Sequence, residues 1–198
     1  MIKKYVSNYA KGRNGKSPCL IVLHIGEGSA ETIYRTFQAE EKSSHYLICR
    51  NREVWNFVSE YDTAWTNGIK VRPQVKVIVD NPGVSPNEIS LTIENEGFRY
   101  SMVPETQYED NADLVLELSN RWNIPLDREH IIGHSEIRAD KECPLPLSVN
   151  KVLDIAKRKK AGTYKSRTQT ILELQRQLSL LLDIISKLRS PKVGGCVQ

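Results

Sequence analysis

No stretch of the sequence approaches the roughly 18 consecutive apolar residues that a membrane-spanning helix requires, so none is expected. Lys3 and Lys4 stand near the N-terminus, but the apolar run of a secretory signal does not follow them, and the expectation is synthesis in the cytoplasm. Cysteine is scarce: Cys19, Cys49, Cys143 and Cys196 are scattered over 198 residues with no CxxC pair, which argues against a disulfide-stapled secreted fold. Cys19 and Cys49 lie in apolar runs and read as core thiols, whereas Cys143 lies among charges and prolines and needs another explanation.

What is present is the composition of a soluble globular chain, 39% hydrophobic and 26% charged. The net charge of +4 conceals an asymmetry. Residues 1–150 carry 17 basic and 21 acidic groups, a balance of −4; residues 151–198 carry 11 basic and 3 acidic groups, a balance of +8. An acidic body with a basic tail implies two parts, 1–160 and 161–198.

In the body, CLIVLHI (19–25) is a short branched apolar run that reads as a buried strand, and AETIYRTFQAE (30–40) reads as a helix with Ile33, Tyr34 and Phe37 on one face. HYLICR and EVWNFV read as strands joined at Asn51-Arg52, and EISLTIENEG as a strand with Ile89, Leu91 and Ile93 alternating. Glu105 to Trp122 reads as a helix, and Ile131-Ile132 as a last short strand. Mixed strands and helices predict an α/β body with a central mixed β-sheet flanked by helices. The tail differs. KRKKAGTYKSR reads as a linker or exposed helix end; beyond it Ile171, Leu174, Leu178, Leu181, Ile185 and Leu188 recur at alternating spacings of three and four. That seam predicts a C-terminal coiled-coil-like helix over residues 168–190, joining copies of the chain as a homo-oligomer or docked on its own body.

His24 ends the first strand, His134 follows Ile-Ile-Gly at the end of the last, and Cys143 lies nine residues later before a proline. Two imidazoles and a thiolate could give a zinc ion three ligands and leave a fourth position open, as a catalytic site requires. Spacing alone leaves a structural role open for each residue.

The segments IVLHIGEGS, SSHYLICRNREVWNFVSEYDTAWTNG, NEISLTIENEG and IIGHSEIRADKECP resemble, in order, the motifs of the type-2 N-acetylmuramoyl-L-alanine amidases, a group that includes phage endolysins and peptidoglycan recognition proteins. The resemblance spans most of residues 18–146. It implies Zn2+ held by His24, His134 and Cys143, with Glu94 as general base and Lys141 steadying the oxyanion. It implies cleavage of the amide between N-acetylmuramic acid and L-alanine in peptidoglycan, with action on the cell wall after release. A phage or prophage endolysin fits this; the alternatives are a bacterial autolysin or wall-recycling amidase and a non-catalytic peptidoglycan-binding module. One family branch places a tyrosine immediately before a histidine, where this chain has Ser44 before His45. Tyr46 then reads as a strand side chain lining the cleft, and His45 as a hydrogen-bonded wall of it. Trp65-Thr66 stands where relatives often have Trp-His, and Cys-Pro-Leu-Pro where they usually have Pro-Gly. The basic groups form one run without interleaved aromatics, so no specific nucleic-acid partner is expected. Attraction to anionic wall polymers or a membrane surface suits them better.

Overall fold

A computed structural model describes residues 1–189; residues 190–198, with Cys196, and the side chains of Arg167, Lys187, Leu188 and Arg189 lie outside the described part. Contacts divide the chain into two units, Met1–Ala161 and Gly162–Gln198. In chain order the elements are β1 (Ile2–Lys3), β2 (Tyr9–Ala10), β3 (Leu20–Leu23), α1 (Ala30–Ala39), β4 (Tyr46–Ile48), β5 (Val54–Asn56), β6 (Thr63–Ala64), α2 (Lys76–Val79), β7 (Ser90–Asn95), α3 (Glu105–Trp122), β8 (Ile131–Gly133), a 3-10 turn (His134–Glu136), α4 (Val149–Lys160) and α5 (Arg167–Arg189).

Six strands form one mixed sheet in the order β1-β5-β4-β7-β3-β8, with β4–β5 the single antiparallel pair; β2 and β6 form a separate two-stranded ribbon. The expected mixed sheet flanked by helices is thus present. Leu20, Ile21, Val22 and Leu23 are all fully buried, as befits an inner parallel strand covered on both faces. Arg52, with φ 72, turns the chain between β4 and β5 where Asn51-Arg52 breaks the apolar pattern.

Register decides which side chains share a face. Leu23 lies beside Ile93 on one flank and Gly133 on the other. Carried one residue on, the same register sets His134, His24 and Glu94 side by side, because neighbours in a parallel pair point the same way. On this face Leu47, the partner of Glu94, packs with Ile33 and Phe37 of α1. Leu20, Val22 and Ile132 pack with Val75 and Ile78 around α2. The other face meets α3, whose Ala112, Val115 and Leu118 are buried at helical spacing. Asn111 Nδ2 on that helix donates to Asn95 Oδ1 (2.6 Å), and Gln107 Nε2 donates to the Ile48 carbonyl (3.2 Å). Ser29 caps α1 by accepting the Thr32 N–H (3.2 Å), and Asn123 ends α3 in the left-handed region.

Two sequence readings change here. Tyr46 pairs with Ile93, not Glu94, so its ring points to the α3 face, where its hydroxyl donates to Glu60; it does not line the cleft. Cys49 is buried as expected, but Cys19 is only half-buried against the core. The start of the basic run is the exposed helix end that the sequence offered as one reading: Lys157–Lys160 form the last turn of α4, where positive charge suits the carbonyl end, and Val152, Leu153, Ile155 and Ala156 bury its other side. Among the described residues no helix is long and apolar enough to cross a membrane.

Gly133 couples this framework to the loop that follows. Its φ of −97° suits any residue, but a Cβ there would meet Pro144 Cδ at 2.6 Å. Gly133→Ala is expected to cost about 1–3 kcal/mol through overpacking, read as a lower urea midpoint with unchanged slope; wild-type stability would contradict the packing described.

Candidate metal and catalytic site

His24 and His134 leave adjacent strands at their carboxyl ends, the edge where open α/β sheets bind ligands. Their ring centroids are 4.5 Å apart. Cys143 reaches them from a loop anchored by its own carbonyl, which accepts the Ser135 N–H (2.7 Å). Its Sγ lies 3.8 Å from His24 Nδ1 and accepts the Ile25 N–H at 3.4 Å. One donor atom from each of the three residues lies within 4.8 Å of the others. Two nitrogens and one sulfur beside a cleft make a donor set that fits zinc, three protein ligands being the number that a catalytic zinc site uses.

The cleft has a volume of about 530 Å³ and is lined by Glu94, His134, Lys141 and Cys143, with Trp65, Thr66 and Asn67 on one wall and Ile33 and Phe37 of α1 on another. His24 lies beneath, 2% exposed. All five residues expected from the sequence, His24, His134, Cys143, Glu94 and Lys141, therefore converge. Lys141 is exposed at the rim. Glu94 is buried, and its Oε2 has no hydrogen-bond partner among the described residues. Burial pushes its pKa up to about 8, only partly offset by the positive charge of Lys42. The Cys143 thiol is pushed up to about 12, first by burial and then by the nearby Glu94 charge. His24 titrates well below the ordinary imidazole range, through burial and then His134; His134 is lowered chiefly by burial. Both rings are consequently neutral at neutral pH, the form that binds metal.

Asn67 contacts both rings: His24 Nε2 is 3.1 Å from its Oδ1 and His134 Nε2 is 3.0 Å from its backbone oxygen. Sequence reasoning missed it, because Asn67-Gly68 looks like an ordinary turn. Lys42, Arg99 and Arg138, also on the cleft, were missed as unremarkable surface charges. Thr66, in place of the relatives' histidine, donates to the Ser43 carbonyl and sits 3.0 Å from Thr92 Oγ1. His45 is not a cleft wall. It is fully buried between Thr92 Oγ1 (3.0 Å) and the Arg13 guanidinium (2.8 Å), and burial with that neighbouring charge drives its pKa down to about 3. Glu136 accepts from the Gly133 N–H and from Arg128 (both 2.7 Å), bracing the turn that carries His134.

The family model for N-acetylmuramoyl-L-alanine amidases matches residues 14–146, the stretch that carries this whole site. The chain belongs to that amidase family. Solved structures share the amidase fold. A crystal structure of an AmpD derivative superposes with a TM-score of 0.60 at 20% identity, covering 76% of this chain and 91% of that one. The PlyG catalytic domain in solution gives 0.54 at 20% identity, covering 84% and 96%. The E. coli amidase AmiD, in complex with anhydro-N-acetylmuramic acid-L-Ala-D-gamma-Glu-L-Lys, gives 0.51 at 21% identity, covering 67% and 52%. No curated protein sequence matches significantly.

The Glu94 environment has a measurable consequence in metal-free protein. Its pKa in the folded chain is raised, so the stability tied to its proton is fully present below the ordinary carboxyl pKa. That stability is lost as pH rises toward about 8. Glu94→Gln is expected to remove that part of the pH dependence. Its stability advantage over wild type should grow by up to about 1.4 kcal/mol per pH unit across this window and level off above it. Urea unfolding of chelator-treated protein checks this; parallel pH profiles would contradict it.

Proposed function

We propose that this chain is a zinc-dependent hydrolase of the amide bond between N-acetylmuramic acid and L-alanine in peptidoglycan. The observation that carries the reading is the convergence of His24, His134 and Cys143 with a buried Glu94, whose Oε2 has no hydrogen-bond partner among the described residues, on one cleft of an amidase-family chain. The AmiD complex holds a muramyl peptide on the same fold, which supports the substrate class.

When bound, zinc supplies Lewis-acid polarisation of the scissile carbonyl and a positive charge that lowers the pKa of water and of neighbouring carboxyls. His24, His134 and Cys143 would hold it. Glu94, ionised in that field, takes a proton from the attacking water and delivers it to the departing alanine nitrogen. Lys141, on the rim, offers an ammonium to the oxygen that gains negative charge. Water adds to the lactyl carbon, the C–N bond breaks, and the products are a carboxylate and a free amine. The walls around Glu94 keep its carboxyl out of bulk water, which strengthens each of these interactions. A binding module without catalysis would have no use for a complete donor set beside an orphaned carboxyl. Endolysins recur among the solved structures of this fold, and a lytic role of that kind is the narrower reading.

Purified cell walls incubated with metal-replete protein should release new amino groups. Glu94→Gln and Lys141→Ala should each lower that rate by about 10²-fold or more while retaining zinc, whereas Cys143→Ser should lose metal affinity. Near-normal turnover by Glu94→Gln would overturn the assignment of the base.

The second unit extends the proposal. Ile171, Leu174, Leu178, Leu181 and Ile185 of α5 are 44–58% exposed within the single chain, at the spacing of a coiled-coil seam. A helix of this length is marginal in water unless its apolar side is covered, and other copies of the chain are the proposed cover. A homo-oligomer would present several active sites and several basic segments to an anionic, polymeric wall, raising avidity. Light scattering on the full chain should give a multiple of 22.6 kDa, and a chain ending near Gly162 should be monomeric. A monomeric full chain would refute the association.

A further inference from the structure

The hydrogen bonds around Asn67 have a direction that can be fixed without seeing a proton. The Pro86 carbonyl can only accept, so the Ser90 hydroxyl, 2.8 Å away, donates to it. Ser90 Oγ then has only lone pairs to offer to Asn67, and the group facing it at 2.8 Å must be the Asn67 amide NH2. The opposite amide orientation would set two acceptors against each other. Asn67 Oδ1 therefore faces His24, and because an amide oxygen only accepts, His24 Nε2 carries the proton. The Asn67 backbone carbonyl imposes the same state on His134 Nε2. The residue itself is fully buried, and its N–H is held by Asn87 Oδ1 at 2.9 Å. One side chain and one carbonyl of a single residue thus set the tautomer of two neutral rings. In each ring the remaining nitrogen, Nδ1, keeps its lone pair, and in His24 that atom is the one facing Cys143.

We propose that Asn67 is a positioning residue for both imidazoles, holding His24 and His134 as their Nε2–H tautomers so that each presents an unprotonated Nδ1 to the metal; this rests on the metal reading above. Partners that orient and polarise the second nitrogen of a ligating histidine commonly contribute 10–100-fold to metal affinity. Pro86, Ser90 and Asn87 act behind Asn67, so the run from the 86–90 segment to the metal cluster is one polar relay of fixed sense.

The direct test uses the zinc-free, nitrogen-15-labelled full chain at neutral pH. Long-range proton–nitrogen correlation spectra report which ring nitrogen bears the proton, and the chain has only four histidines to assign. Both His24 and His134 should appear as Nε2–H. In Asn67→Ala the single-tautomer signature of His24 should be lost, while His134, bonded to main chain, keeps its own. Zinc affinity, measured by competition with a chromophoric chelator, should fall about 10–100-fold. Asn67→Asp, which keeps an acceptor oxygen against His24 while the Ser90 hydroxyl turns from Pro86 to donate to its second oxygen, should restore the Nε2–H form, a rescue that a purely packing role would not give. An Nδ1–H ring at either position in the wild type, or unchanged zinc affinity in Asn67→Ala, would overturn the proposal. Should Asn67→Ala fail to fold, the wild-type spectrum decides alone. The spectrum is read without metal or substrate, so Nε2–H rings in a protein that leaves walls intact would refute the hydrolase reading and not this one.

Discussion

The site depends on the register of three parallel strands. With β3 held between β7 and β8, Leu23 is fixed beside Ile93 and Gly133, and the next residue of each strand has nowhere to point but into the same row. A shift of β8 by one position would turn His134 to the α3 and α4 side and dissolve the cluster, because side chains alternate with a period of two. The register is in turn enforced by burial. Ile21, Leu23, Leu91, Ile93 and Ile131 are all fully buried, and a slip would exchange the sets that face the two helical layers. Core packing and ligand geometry are therefore one constraint, not two.

The second consequence of that burial is electrostatic. A carboxyl, two imidazoles and a thiol occupy one poorly solvated region, and each is driven toward its neutral form: Glu94 and Cys143 upward, His24 and His134 downward. Such a set is unfavourable for the empty protein and well suited to a cation. Positive charge at the cluster reverses the pressure on the thiol and the carboxyl together, while the imidazoles already hold free lone pairs. The elements of strain sit beside groups that are fully satisfied, such as His45 between Arg13 and Thr92, and Asn95 against Asn111. That contrast separates residues held for chemistry from polar residues held for the fold.

Much of this was legible in the sequence. CLIVL ahead of His24, the alternation of Ile89, Leu91 and Ile93 ahead of Glu94, and Ile131-Ile132 ahead of His134 mark three strands whose ends carry the site, and the ordered motifs supplied the pairing of these ends. What was not legible depends on register or on length. Tyr46 and His45 are neighbours, and only the partnering of β4 with β7 tells which of the two faces α3. Strands of two residues such as β1, β2 and β6 carry no readable period. In α4 the four basic residues of the last turn drew attention away from Val152, Leu153, Ile155 and Ala156, whose spacing is that of a docked helix. Asn67 could not have been found, since its role comes from two hydrogen bonds to residues 43 and 67 positions away.

The central claim, that two imidazoles and one thiolate of this chain hold a catalytic zinc, is tested most directly by X-ray absorption at the zinc edge of the metal-loaded full chain. One sulfur neighbour at about 2.3 Å and light N/O neighbours at about 2.0–2.1 Å are expected, with the sulfur shell lost in Cys143→Ser. A first shell of oxygen and nitrogen alone in the wild type would contradict it.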